Sequence, residues 1–273
     1  MQQAMLNDFS TAHTVSAAIK TNWLNYHYAM WQSPKVELSI SPYLNWLITD
    51  IPDYFLNLVV CTQLPEHGIE TLVEKAMNHF EKNNVPRFMW FVEEGVQAEN
   101  LKHHLAARGL TFRESFATKM AAHLENLSEN ISMPKGLEIV PVENRTTLKQ
   151  WIHLTSRGFG IPAEYEDTWC DIFDNTVFNA PFRTYLGVLN GQPVGTAQLF
   201  TSAGVAGIYN ITCAPEARCQ GVATALTKTA LLDARQLGYR VSVLQASQAG
   251  AKVYRKLGFQ DYGNLSAFMW KRN

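Results

Sequence analysis

The stretch APEARCQGVATALTKTA, residues 214–230, sets Arg218 three residues ahead of Gly221, with Ala223 two further on. It lies where a β-branched, strand-like run passes into an alanine-rich, helix-like one. The first N–H groups of such a helix have no partner inside the helix and carry the positive end of its dipole. Gly221 and Ala223 keep side chains short, so an anion could approach the main chain of Arg218, Cys219, Gln220, Gly221, Val222 and Ala223. Arg218 would add a charged donor, and Pro215 stops the preceding strand by removing a donor. These residues read as an anion cradle suited to a pyrophosphate. The plain alternative is a surface turn before a compact helix.

The elements that must position this cradle follow from periodicity. Helical spacing covers about 143–158, and a second helical stretch about 163–174. RTYLGVL alternates as a strand, and Asn190-Gly191 supplies a tight hairpin turn. PVGTAQLF returns, Ser202-Ala203-Gly204 turns again, and VAGIYNITCA makes a third strand. A helix from about 221 to 237 follows, with Gly238 suited to its C′ position. YRVSVLQAS is a strand, AGAKVYRKL a short helix closed by Gly258, and SAFMW a final strand. The expected order is ααβββαβαβ.

Residues before about 126 repeat this ending. NLVVCTQL, IETLVEKAMNHFEKN, RFMWFVE, ENLKHHLAARG and SFATKMA read strand, helix, strand, helix, strand. Arg108-Gly109-Leu110 falls where Leu257-Gly258-Phe259 falls later. Polar residues, Met133-Pro134 and Lys135-Gly136 break the chain between the copies. The expected division is an N-terminal domain over 1–126, a linker over 127–136 and a catalytic domain over 137–273.

Two segments carry a family resemblance. IYNITCAPEARCQGVATAL resembles the strand–loop–helix of the GCN5-related N-acetyltransferase (GNAT) superfamily, with its (Arg/Gln)-x-x-Gly-x-(Gly/Ala) signature. SQAGAKVYRKLGFQDY is similar to that family's later Asn-x-x-Ala-x-x-x-Tyr-x-x-x-Gly-Phe pattern, matching at Tyr254, Gly258 and Phe259. Ser247 and Gly250 stand where Asn and Ala are commoner. The resemblance implies an α/β (α+β) fold on a mixed sheet, the acyl-CoA N-acyltransferase fold, in tandem with a degenerate first copy. It implies acetyl-CoA as co-substrate. Main-chain groups of Ile211, Thr212 and Cys213 would pair with pantetheine, those across 218 to 224, Thr224 included, would hold the diphosphate, and Ser247 would touch the pantetheine arm. It also implies Tyr254 as the acid that protonates the departing thiolate, a phenol being protonated at neutral pH.

Several family members use a glutamate on the strand before the cradle as base. VAGIYNITCA has no carboxylate, only Tyr209 and Asn210 as polar side chains, so no base is named. Glu164, Glu166, Asp167, Asp171 and Asp174 could act through water, though a solvated helix face is the simpler account. In the first copy the cradle's counterpart has no arginine and carries Glu66, which would repel pyrophosphate. Leu105 stands at Tyr254's position. That half is expected to have lost cofactor binding and to shape the acceptor pocket or an interface, such as a homodimer's. Trp23, Trp31, Trp46 and Trp90 are either a ligand platform or packing. Gly158 to Ala163 fits a dinucleotide fingerprint formally, but no strand leads into it. Cys219, at a helix start, suggests an acyl-cysteine route, less suited than direct transfer because the cradle occupies its place.

The 273 residues carry a formal net charge of −1 and no Lys/Arg run beyond two, so a nucleic-acid partner is not expected. No leader or membrane-spanning run is read, and the unpaired cysteines suit a reducing cytoplasm. The histidines lack ligand spacing, so no metal is expected. The expected function is acetyl transfer to a primary amine of a small molecule or peptide. The alternatives are an N-acyltransferase of the glycine-conjugating type and an acyl-CoA-binding sensor.

Overall fold

The computed structural model describes residues 5–7, 11–61, 67–92, 98–130, 132–174 and 176–272. In chain order the elements are α1 (Ala12–Met30), β1 (Val36–Ser39), β2 (Leu44–Thr49), β3 (Leu58–Cys61), α2 (Ile69–Lys82), β4 (Arg87–Val92), α3 (Ala98–Ala107) and β5 (Thr111–His123). Then come β6 (Leu137–Pro141), α4 (Arg145–Phe159), a 3₁₀ turn, α5 (Glu166–Phe173), β7 (Phe182–Leu189), β8 (Gln192–Ser202) and β9 (Val205–Cys213). A second 3₁₀ turn leads into α6 (Val222–Gln236), β10 (Val241–Ala246), α7 (Gln248–Lys256) and β11 (Gln260–Lys271). The mixed α/β fold agrees with the sequence reading. β6 is an addition to the expected order: it is short, ends on Pro141 and pairs only along β7, so its periodicity is too brief to read.

The chain forms two compact units, each discontinuous: Met1–Met30 with Lys119–Gly263, and Trp31–Thr118 with Asn264–Asn273. The division expected at 127–136 follows the repeat in sequence, whereas these units follow packing. In the first unit the strands run β6-β7-β8-β9-β10-β5, with β5 contributing from Lys119 onward. The hairpins turn where expected. Asn190 (φ 51°) with Gly191 (φ 81°), and Ala203 (φ 56°) with Gly204 (φ 72°), give two consecutive left-handed residues, which suits the twist of paired strands.

Helix α1 belongs to this first unit, against β8, β9 and β10. Its Val15 and Ile19 are fully buried with Ala121, Val205, Val241 and Val243. Each such aliphatic side chain contributes about 1.5–3 kcal/mol on burial. Asn22, one turn on, is also fully buried and donates to Ser202 O at 2.9 Å and Val205 O at 3.4 Å. Gly207 on β9 makes this approach workable, because a Cβ there would stand 2.1 Å from Asn22 Oδ1.

In the second unit the order is β1-β2-β3-β4-β11. The chain's last strand pairs antiparallel with β4, from Ser266 opposite Val92 to Lys271 opposite Arg87. The expected final strand exists, but it completes the sheet of the N-terminal copy. The unit's core gathers Val73, Phe80, Phe88, Trp90, Leu101, Leu105 and Phe268. Trp23, Trp31 and Trp90 are buried, and the Trp46 indole donates to Glu37 at 2.8 Å. These tryptophans are packing. Leu105 sits in that core with no exposure.

Candidate functional site

β9 and β10 are parallel neighbours, yet they pair only at Ala206 with Ser242 and Gly207 with Val243. Beyond that, β9 continues to Cys213 and β10 to Ala246 with no register between them. β9 stays held on its other edge by β8, through Tyr209 opposite Gln198, Thr212 opposite Thr196 and Cys213 opposite Gly195. The register shift between Thr196 and Gln198 marks a bulge, and Asn210 within it has a φ of 51°. A bulge bends its strand and re-aims the side chain. Here it accompanies the parting of β9 from β10, which bares the edge of residues 208–213.

The end of β9 then feeds the cradle. Pro215–Ala217 form a 3₁₀ turn, Arg218 is extended, Cys219 has φ 61° and Gly221 has φ 85° at the N-cap of α6. The glycine is demanded by that left-handed φ rather than by crowding, since the nearest atom to an added Cβ is Pro134 Cγ at 3.6 Å. It also leaves the helix without a side-chain cap. By contrast, Asn144 caps α4 and Ser247 caps α7 through their side chains. Among the described residues, no hydrogen-bond acceptor is found for the N–H groups of 219 to 224; the first main-chain bond of the helix is Ala225 N to Gly221 O at 2.9 Å. A run of bare donors at a helix start, with no acidic residue in the first turn, has the geometry and the field that would favour an anion.

The side chains around it have defined tasks. Arg218 is exposed and donates through Nε to Cys213 O at 3.3 Å, a bond that does not use its terminal nitrogens. Gln220 turns back to Glu216 O at 2.8 Å. Ile211 and Cys213 are half-buried, and burial pushes the Cys213 thiol up. Thr212 is buried, its hydroxyl 2.7 Å from that of Thr196 and 3.4 Å from Leu154 O, so only its main chain faces the opening. Ser247 Oγ accepts from Gly250 N at 3.1 Å, a capping task that leaves its hydroxyl proton to donate.

Tyr254 is buried on α7, with its ring edge-on to Phe259 at 5.9 Å. Burial pushes its phenol up to about 12. Among the described residues its hydroxyl has no hydrogen-bond partner. Gly250 accounts for one departure from the family pattern: a Cβ there would lie 3.1 Å from the Tyr254 ring and 3.2 Å from Ser247 Oγ.

The carboxylates before α6 are a surface lattice. Asp167 pairs with Lys149 at 2.8 Å, Asp174 with Arg145 at 2.7 Å and Asp171 with Arg145. Glu166 accepts from Ser156 Oγ at 2.6 Å and lies 3.1 Å from His153 Nδ1. Glu164 is exposed. Gly158 lies inside α4, where a Cβ would come 2.5 Å from Thr212 Cγ2; it serves helix–strand contact, and the dinucleotide fingerprint is formal only. Glu66 falls outside the described residues. Among the described residues, no group of His, Cys, Asp and Glu could hold a metal ion, and no helix is long and apolar enough to cross a membrane.

One component is not legible from the strand alone. Tyr26 of α1 stacks on Tyr209 with ring centroids 3.8 Å apart. Its hydroxyl lies 3.2 Å from Gln198 Oε1 and accepts from Asn210 Nδ2 at 2.7 Å. Tyr209 in turn donates to Asn22 Oδ1 at 2.7 Å. The available signal is spacing: Ile19, Asn22, Trp23, Tyr26 and Met30 share one helical stripe, in which a buried Asn requires partners.

Comparison with known proteins accords with this geometry. Residues 147–259 match the family model described as Acetyltransferase (GNAT) family. No curated protein sequence matches the chain. A GCN5-related N-acetyltransferase from Kribbella flavida is similar in structure at TM-score 0.67 and 16% identity, over 97% of this chain and 96% of that one. A tandem GNAT protein from the clavulanic acid biosynthesis pathway is similar at TM-score 0.63 and 14% identity, over 98% and 97%. A GCN5-related N-acetyltransferase from Sphaerobacter thermophilus matches at TM-score 0.63 and 14% identity, over 98% and 94%. At such identities the likeness is one of fold, and it extends over both copies. The family match covers the segment that builds the cradle, residues 147–259, and the fold of the chain is that of GNAT proteins.

Proposed function

We propose that the protein transfers the acetyl group of acetyl-CoA directly to a primary amine of a small molecule or peptide. The observation that carries this is the sequence of features along one strand edge: β9 parts from β10 after Gly207, and the opening ends on the uncapped start of α6. Pantetheine would lie along the main chain of Ile211, Thr212 and Cys213, with Ser247 beside it. The diphosphate would rest on the N–H groups from Cys219 to Thr224, since the Arg218 N–H already donates to Pro215 O at 3.3 Å, and the Arg218 side chain would add charge.

The transfer forms a C–N bond and breaks the C–S bond. The lone pair of a neutral amine attacks the thioester carbonyl, the tetrahedral intermediate collapses, and the amine's proton ends on the coenzyme A thiolate. Tyr254, kept protonated by burial, is suited to deliver a proton to that sulfur and to take the amine's in exchange. Cys219 is exposed at the cradle mouth, where an acyl group on it would obstruct the diphosphate; this favours direct transfer. The reading includes a cytoplasmic setting, where acetyl-CoA is available and thiols stay reduced.

Isothermal titration with acetyl-CoA, followed by thiol release across an amine library, tests it. Saturable binding with amine-dependent thiol release is expected. Binding without turnover on any amine would make the protein an acyl-CoA sensor, and turnover confined to longer acyl donors and glycine would make it a conjugating N-acyltransferase.

A further inference from the structure

We propose that the acceptor amine binds uncharged against the side-chain oxygen of Asn210, so that the enzyme selects amines of low basicity. This rests on the reading just given and deepens it by naming the substrate class.

The argument is a count of donors and acceptors at the bulge. Tyr26 donates to Gln198 Oε1 and accepts from Asn210 Nδ2. The second Asn210 amide hydrogen goes to Gln198 Oε1 at 3.1 Å. Gln198 Nε2 donates to Thr184 Oγ1 at 3.0 Å, and Thr184 donates to Val177 O at 3.3 Å. Tyr209 donates to Asn22, whose own amide is spent on Ser202 O and Val205 O. The Asn210 main-chain oxygen accepts from Thr196 at 2.7 Å. Among the described residues, Asn210 Oδ1 has no partner. It is a neutral acceptor on a half-buried residue, at the place where β9 leaves β10. The group that suits it is an N–H.

Among the described residues, none hydrogen-bonded at the bulge supplies a counter-charge for an ammonium ion; α6, also packed on β9, carries Lys228, Asp233 and Arg235, which are engaged with Asn130 O, with Tyr185 and Arg183, and with Glu129. α1 offers Asn22, Tyr26 and His27, β8 offers Gln198, and β7 offers Thr184. α4 packs its uncharged Trp151, Leu154, Thr155 and Gly158 against these strands, while its His153 and Arg157 are exposed. Tyr26 and Tyr209 are raised by burial, and burial pushes His27 down to about 3. Cys213, further along β9, is raised too. A buried charge without a partner is expensive, and the amine sheds its proton instead. The group that titrates as turnover rises with pH is therefore the substrate.

The test is kcat/KM against pH, at saturating acetyl-CoA, for an α-amino amide and a simple alkylamine. Their ordinary values are about 8 and about 10.4. The inflection should move with the amine. At pH 7.5 the neutral fraction alone should favour the α-amino compound by about two orders of magnitude. Asn210→Asp suits the left-handed backbone, which Asn and Asp both tolerate. It should shift the ratio toward the alkylamine at least tenfold, an internal comparison that partial misfolding cannot mimic. One inflection shared by both amines, or an unchanged ratio in the variant, would overturn the inference while leaving acetyl transfer intact. Acetyl-CoA binding with no turnover on any amine would remove the underlying reading and this inference with it.

Discussion

The two copies share a frame and differ at the place where a cofactor would enter. β3 pairs with β4 along its whole length, from Leu58 opposite Met89 to Cys61 opposite Val92. The corresponding pair, β9 and β10, keeps two residue pairs and then parts. The helices that follow both start on a left-handed glycine without a side-chain cap, Gly68 at φ 83° and Gly221 at φ 85°. Yet Glu70 occupies the first turn of α2, and α6 has no acid there. The ends of α3 and α7 bond alike: Leu110 N donates to Leu105 O, and Phe259 N to Tyr254 O, each beside a left-handed glycine. A left-handed glycine N-cap without a side-chain cap is thus common to both copies. What distinguishes the C-terminal one is an opened strand edge, an arginine in place of acids, and a phenol where the other has Leu105.

This contrast can be broken experimentally. Gly221→Glu and Gly68→Glu impose the same backbone strain, about 1–2 kcal/mol each, so both should lower the melting temperature similarly. By titration calorimetry, only the first should weaken acetyl-CoA binding, by roughly 100-fold or more, about 2.7 kcal/mol. Next in size, Tyr254→Phe should lower kcat by about 100-fold with acetyl-CoA affinity unchanged. Because the phenol acts as an acid and its value is raised, the alkaline loss it causes should lie above the ordinary tyrosine range, toward about 12; a loss centred near 8 would assign that limb elsewhere. Asn22→Ala should cost about 1–3 kcal/mol by denaturant melts, since it strands the buried Tyr209 hydroxyl. An unchanged midpoint would mean that α1 is not needed by the catalytic unit. Smallest of all, Asp167→Asn should leave turnover alone and stability within about 0.5 kcal/mol, its partner Lys149 being exposed.

The local grammar of the C-terminal half is legible in its residues alone. Asn190-Gly191 and Gly238 announce their turns through φ, and Arg218 to Ala223 announce an anion site through residue size and charge. The fold adds that Gly221 is set by backbone conformation and that the missing cap matters as much as the short side chains. Long-range pairing is not legible in the same way. SAFMW alternates equally well beside either β4 or β10, so nothing in its own residues says which sheet it completes. The same holds for α1, whose stripe announces burial without naming β8 and β9. The parting of two strands is a relation between segments, and only the left-handed Asn210 in the bulge leaves a trace of it in one residue.

The central claim is that one helix start and one strand edge of the C-terminal copy hold acetyl-CoA, and that their counterparts do not. Amide hydrogen exchange of the whole chain, with and without acetyl-CoA, reads it directly. Exchange should slow across 211–213 and 219–224 and stay unchanged across 58–61 and 68–72. Unaltered exchange at 219–224 under saturating ligand, or new protection at 68–72, would contradict it.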